Sequence, residues 1–150
     1  MVAYPLPSTT AESAIRSGRQ RALLARPRAV NSRNPHVGPG ARIHLSIAGN
    51  RETPSRSLPM TLCVLNADVV FAKAGVQRIL SAETLHPGTI EGVQALLQNA
   101  EQGSAHDRGP ANDKLAAALG FRDYAELWGE IGPKNPPLVA RTVIAWRPLS

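Results

Sequence analysis

Ala41-Arg42-Ile43-His44-Leu45-Ser46-Ile47 alternates without a break: Ile43, Leu45 and Ile47 fall on one face of an extended chain, Arg42, His44 and Ser46 on the other. The stretch reads as a strand with one buried face. Working outward, residues 49–59 are polar and turn-rich, and residues 61–71 form a second β-rich run in which Leu62 and Val64 face one way while Asn66 and Asp68 predict a bend or bulge. These two runs are neighbours in sequence and predict an antiparallel pair; a short run at 76–80 continues the sheet. Upstream, Tyr4-Pro5-Leu6-Pro7 is held extended by its prolines and predicts a short strand. Ser8, Thr9 or Thr10 then caps a helix in which Glu12 favours the positive end and Ala11, Ala14 and Ile15 form an apolar stripe, and Gly18 stops it. Residues 19–26 favour helix by propensity, yet only eight residues lie between Gly18 and Pro27, and we read them as a strand. Residues 27–40 predict a loop made cationic by Arg28 and Arg33.

Downstream the period changes from two to that of a helix. Ile90, Val93 and Leu97 predict a helix over 89–99, and Leu115, Ala118 and Leu119 predict another over 112–119. Residues 101–110 have no periodicity and two glycines, which predicts an exposed loop. Asp123 is placed to cap a helix whose face is Tyr124, Leu127, Trp128 and Ile131, a spacing that assigns these aromatics to the core rather than to base stacking. Gly132-Pro133 ends it, and residues 138–146 predict a last strand with Leu138, Ala140, Thr142, Ile144 and Trp146 on one side. The whole chain, 1–150, is expected to be one α+β domain.

Composition narrows the function. No apolar run approaches the ~18 residues of a membrane span, and no basic-then-apolar leader precedes Tyr4, so a cytoplasmic protein is expected, with no membrane partner. The single cysteine, Cys63, excludes an internal disulfide. His36, His44, His86 and His106 do not combine with Cys63 in any zinc-type spacing, so neither metal nor cofactor is expected. G-x-S-x-G, the P-loop and G-x-G-x-x-G are all missing, which removes the usual support for nucleophile-elbow hydrolases, P-loop enzymes and dinucleotide binders. The formal charge is +6, but residues 1–56 alone carry nine arginines against Glu12 and Glu52, a local +7. Such a field attracts a polyanion, and the guanidinium fork suits phosphate better than an ammonium does.

The arginines are densest where a helix ends at Gly18 and Arg19 and Arg21 emerge on the same side of the following strand, with Arg16 and Arg26 near in sequence. A phosphate-binding groove is one reading; a charged, solvated edge strand is the other. Here a resemblance enters. Ile15-Arg16-Ser17-Gly18-Arg19-Gln20 resembles the I-x-x-G-x-K opening of ASCH domains, small β-barrel modules related to the PUA RNA-binding fold. Val37-Gly38-Pro39-Gly40-Ala41-Arg42-Ile43 is similar to the family's lead-in to a barrel strand, and Leu119-Gly120-Phe121-Arg122-Asp123-Tyr124-Ala125-Glu126-Leu127-Trp128 to its D-G-F-x-[SD]-x-x-E-[LM] helix; Ile144-Ala145-Trp146 looks like the closing strand. Together the motifs run from about Pro5 to Trp146. The resemblance implies a PUA-like mixed or antiparallel β-barrel with flanking helices, and a cleft between barrel and helix suited to a nucleotide or single-stranded RNA.

Three departures bear on chemistry. Gln20 stands where the family has lysine, Arg21-Ala22-Leu23 lacks the threonine that often follows, and Ala41 replaces a common acid. One branch resembles an amidohydrolase of acetylated cytidine that uses a lysine, a threonine and a glutamate. Glutamine cannot shuttle a proton as a lysine can, so that activity is not carried over. The leading expectation is an RNA- or nucleotide-binding domain in which Gly18, Arg19, Gln20 and Arg21 line the cleft, Arg19 and Arg21 contact phosphates, Arg16, Arg26, Arg28 and Arg33 extend the field, and Arg42 with His44 supplies the barrel wall. The alternatives are a small nuclease or acetylcytidine-type nucleoside hydrolase using His44 or Lys73 with one of the acids, and a protein-interaction module of a phage or mobile element.

Overall fold

The computed structural model describes residues 2–28, 35–86, 92–132 and 137–147. The elements follow one another as β1 (Val2–Leu6), α1 (Glu12–Arg16), β2 (Ala22–Ala25), β3 (Arg42–Ile47), β4 (Arg56–Ser57), β5 (Thr61–Ala72), β6 (Gly75–Thr84), α2 (Gly92–Gln102), α3 (Ala105–Ala118), α4 (Tyr124–Ile131) and β7 (Leu138–Trp146). The fold is α+β, with a mixed seven-stranded sheet in the order β1-β3-β5-β7-β2; β4 pairs with β3 and β6 with β5. Only the β1–β3 pair is parallel. The sheet is open: β1 and β2 end the path and do not pair with each other, so hydrogen bonding does not close the expected barrel.

Two cores share the middle strands. On one side Leu65, Ala67, Val69 and Phe71 of β5, with Ala22, Val143 and Ala145, pack against Leu97, Leu115, Ala116 and Leu127 of the helices. On the other, Tyr4, Leu6, Ile43, Leu45 and Ile47 of β1 and β3 enclose Ile15, Leu23, Cys63, Ile144 and Trp146. The ends of β2 and β7 are therefore buried on both faces. β5 changes core where its register against β7 shifts, between Cys63 (opposite Trp146) and Leu65 (opposite Ala145). One extra residue there lets two same-parity side chains serve opposite cores.

Strand β3 has the alternation expected of it, with Ile43, Leu45 and Ile47 fully buried, and it pairs antiparallel with β5, though only through Arg42–Leu62 and Ile43–Thr61. The bend expected at Asn66 and Asp68 is a register shift between Asp68 and Val69 in the β5–β6 ladder. Leu62 and Val64 do share a face, but the less buried one. Strand beats helix over residues 22–25 because β7 offers a ladder there, Ala22–Ala145 to Ala25–Thr142, and both faces find a core.

Three expectations are corrected. Residues 101–110 are not a loop, because α2 runs to Gln102 and α3 starts at Ala105. Ser104 caps α3: its hydroxyl accepts the Asp107 amide at 3.3 Å and donates to the Asp107 carboxylate at 2.9 Å, while Pro110 falls in the second turn and forfeits a single helical bond. Helix α1 is capped by Ala11 without any side-chain bond, so Ser8, Thr9 and Thr10 do not cap it. Strand β2 begins at Ala22, so Arg19 and Arg21 precede it instead of projecting from it. The start of the helix expected at 89–91, and Arg33 with the tip of the 27–40 loop, lie outside the described residues.

Candidate functional site

A cleft of about 1460 Å³ opens between β1, the turn after α1, β2 and the C-terminal ends of α3 and α4. Its near wall is the segment from Gly18 to Arg21. Gly18 ends α1 at φ +82°, a conformation glycine adopts without penalty, and its amide donates to Ile15 O at 3.1 Å. The chain then turns back on α1, with the Gln20 amide donating to Ala14 O at 3.0 Å, and it is fastened to α3 where the Arg21 amide donates to Ala118 O at 2.9 Å. Arg21 O in turn accepts the Trp146 amide at 3.0 Å, so this short segment bridges helix and sheet.

The far wall starts at Gly120, whose φ is +92°. A β-carbon there would lie 2.7 Å from Gln20 Cδ, so the buried Gln20 side chain occupies the space that the missing methyl leaves. Arg122 leans over this wall with 82% of its side chain exposed, its guanidinium 3.6 Å from the Glu126 carboxylate and 4.0 Å from that of Asp123. The floor at the end of β2 is held by a chain of bonds. His36 Nε2–H donates to Arg26 O at 2.7 Å, which leaves Nδ1 to accept the Tyr4 hydroxyl at 2.9 Å; the two rings stack with centroids 5.9 Å apart. Burial pushes the Tyr4 phenol above its ordinary value, opposed by the hydrogen bond from the Val37 amide and by Arg28.

Among the described residues, six cations, Arg19, Arg21, Arg26, Lys114, Arg122 and Arg141, line the cleft against two acids, Glu126 and Glu130. Of the residues singled out in the sequence, Gly18, Arg19, Gln20, Arg21 and Arg26 come together here. The others go elsewhere. Arg16 is paired with Glu12 at 3.0 Å, Arg28 donates to Pro35 O at 3.3 Å, and Arg42 and His44 lie on the outer face of β3, away from the cleft. Neither His44 nor Lys73, the bases considered for catalysis, lines it. Among the described residues no group of three or more His, Cys, Asp or Glu is placed to hold a metal, and no helix is long and apolar enough to cross a membrane.

Sequence reading missed Lys114, Arg122 and Arg141, three of the six cations, because all lie in the second half of the chain, where the net charge is slightly negative. Arg141 carried one signal: it is the one charged residue in a strand that is apolar apart from it and Thr142. Burial, and secondarily the nearby charge of Arg26, lowers its proton affinity. Comparison with known proteins finds no family model, no curated protein and no solved structure that matches this chain.

Proposed function

We propose that the protein is an ASCH-like, PUA-related domain that binds single-stranded RNA or a nucleotide in this cleft. The observation that carries the reading is the convergence, among the described residues, of six cations and two acids on one concavity, with Arg19, Arg21 and Arg26 supplied by the basic first third of the chain. A groove of this sign concentrates a polyanion and holds its phosphates by charge-assisted hydrogen bonds. The architecture adds support, since β1 and β3 fold over β2 and β7 around a common core, and the cleft lies beside the helix that ends at Gly18. His44 and Lys73 lie away from the cavity, and its two described carboxylates are outnumbered by its cations, so its charge suits binding an anion.

Fluorescence anisotropy with a labelled single-stranded RNA tests the reading. Affinity should fall with salt along a log–log slope of about −0.7 for each phosphate neutralised. Arg19→Ala combined with Arg21→Ala should weaken binding and flatten that slope by roughly 1.4. An absence of binding at low salt, or identical curves for wild type and the double variant, would end the proposal.

A further inference from the structure

Strands β2 and β7 pair antiparallel with Ala22 opposite Ala145 and Ala25 opposite Thr142. Arg26 and Arg141 are the next residues beyond the last pair, and Arg26 lies near enough for its charge to act on the Arg141 guanidinium. Both arginines line the cleft, and the neighbours two residues back on the same face, Leu24 and Val143, belong to the helix-side core. Like charges directly opposite on adjacent strands repel and destabilise the sheet. Proteins ordinarily relieve such a pair with a carboxylate, yet among the described residues every ion pair is made by Arg16, Arg56 or Arg122 with Glu12, Asp123 or Glu126. Glu130, the cleft's remaining acid, pairs with neither arginine. Arg141 directs Nη1 to Ala140 O at 2.8 Å, and the Arg26 backbone is fixed by His36. Both arginines thus bring positive charge to the cleft without an ion-pair partner among the described residues.

We propose that Arg26 and Arg141 form a phosphate subsite, a cross-strand guanidinium pair that grips one phosphate of the bound RNA or nucleotide between two forks. This rests on the binding function proposed above and goes further by locating one phosphate. An oxyanion has lone pairs enough for both forks, and each guanidinium offers parallel N–H donors at the right spacing. The repulsion that costs the free protein stability is then converted into attraction when the anion arrives. That relation also gives a role to Arg141, the one charged residue of β7.

The test uses the whole protein in two arms. In the first, inorganic pyrophosphate is titrated while melting temperature and arginine Nε–Hε NMR signals are recorded. Wild type should melt higher as the probe is added, with the Arg26 and Arg141 signals moving first. Arg26→Gln and Arg141→Gln should each abolish the probe-dependent rise, whereas Arg78→Gln, on exposed β6 outside the cleft, should keep it. A rise retained in both pair variants overturns the subsite, whatever their own melting temperatures. The second arm measures RNA affinity of the same proteins with 5′-phosphorylated and 5′-hydroxyl oligonucleotides. Loss of about tenfold on Arg141→Gln for both oligonucleotides identifies an internal phosphodiester as the source; loss for the phosphorylated one alone identifies a terminal phosphate. RNA binding that ignores the pair would retain the general function and refute the subsite; a pair that answers to pyrophosphate in a protein deaf to RNA would do the reverse.

Discussion

At the scale of the residue, Cys63 and Gly120 show how burial and backbone conformation constrain single positions. Cys63 is fully buried in the core between β3 and β7, and desolvation pushes its thiol from 9.0 up to about 11. The folded state therefore holds the thiol proton more tightly than the unfolded one. The resulting stability is complete below about pH 9 and is lost as pH rises from 9 toward 11, at most about 1.4 kcal/mol for each pH unit crossed. Burial raises the Tyr124 phenol as well, so it adds to the same alkaline loss. Urea unfolding at pH 7.5 and 10.5 should show this decline in wild type and a smaller one in Cys63→Ala. At Gly120 the left-handed φ and the Gln20 contact act together: Gly120→Ala should cost about 1–2 kcal/mol from the backbone alone, with more from displacing Gln20. Because Gln20 belongs to the near wall, the same variant should weaken the proposed RNA binding under conditions where it remains folded, measured by anisotropy after thermal melting has established the fold.

At the scale of the element, α3 is tied to the sheet by one polar side chain. Asn112 is 2% exposed; its Oδ1 accepts the Val76 amide at 2.9 Å and its Nδ2 donates to Arg108 O at 2.8 Å. Gly75 makes room for it, since a β-carbon there would come within 2.3 Å of the amide. Asn112→Leu should leave the Val76 amide buried and unpaired and destabilise the protein by about 1–3 kcal/mol, read by denaturant unfolding, without changing the salt dependence of the proposed RNA binding. Helices of this chain were unevenly legible in its sequence. Helix α4 announced itself through Asp123, which accepts the Glu126 amide at 2.9 Å, and through an apolar face that buries Tyr124 and Leu127. The first half of α3 did not, because Gly109 and Pro110 imitate a break and its exposed residues carry no period; the cap at Ser104 was the available sign. Strand β7 was legible to its ends, from Leu138 to Trp146, although its continuous burial from Thr142 onward, on both faces, follows from lying between two cores.

At the scale of the whole molecule, the cleft joins parts of the chain more than a hundred residues apart: Arg19 and Arg21 on one wall, Arg122 on the other, Arg26 and Arg141 across the floor. Its field is collective, so under the proposed RNA binding neutralising one arginine should lower affinity by about tenfold or less, whereas raising salt should lower it far more steeply. The sequence by itself determined the α+β class, the alternating strand at 42–47, the helix stop at Gly18 and the excess of arginine in the first third, because each depends on local periodicity, backbone freedom or simple charge count. Only the tertiary structure decided which arginines face a common cavity. It turned Arg42 outward, gave Arg16 to Glu12, and brought in Lys114, Arg122 and Arg141 from a stretch with no cationic excess. The physical reason is that electrostatic convergence depends on distances in space, which strand register and helix packing set, while a charge count along the chain records none of them.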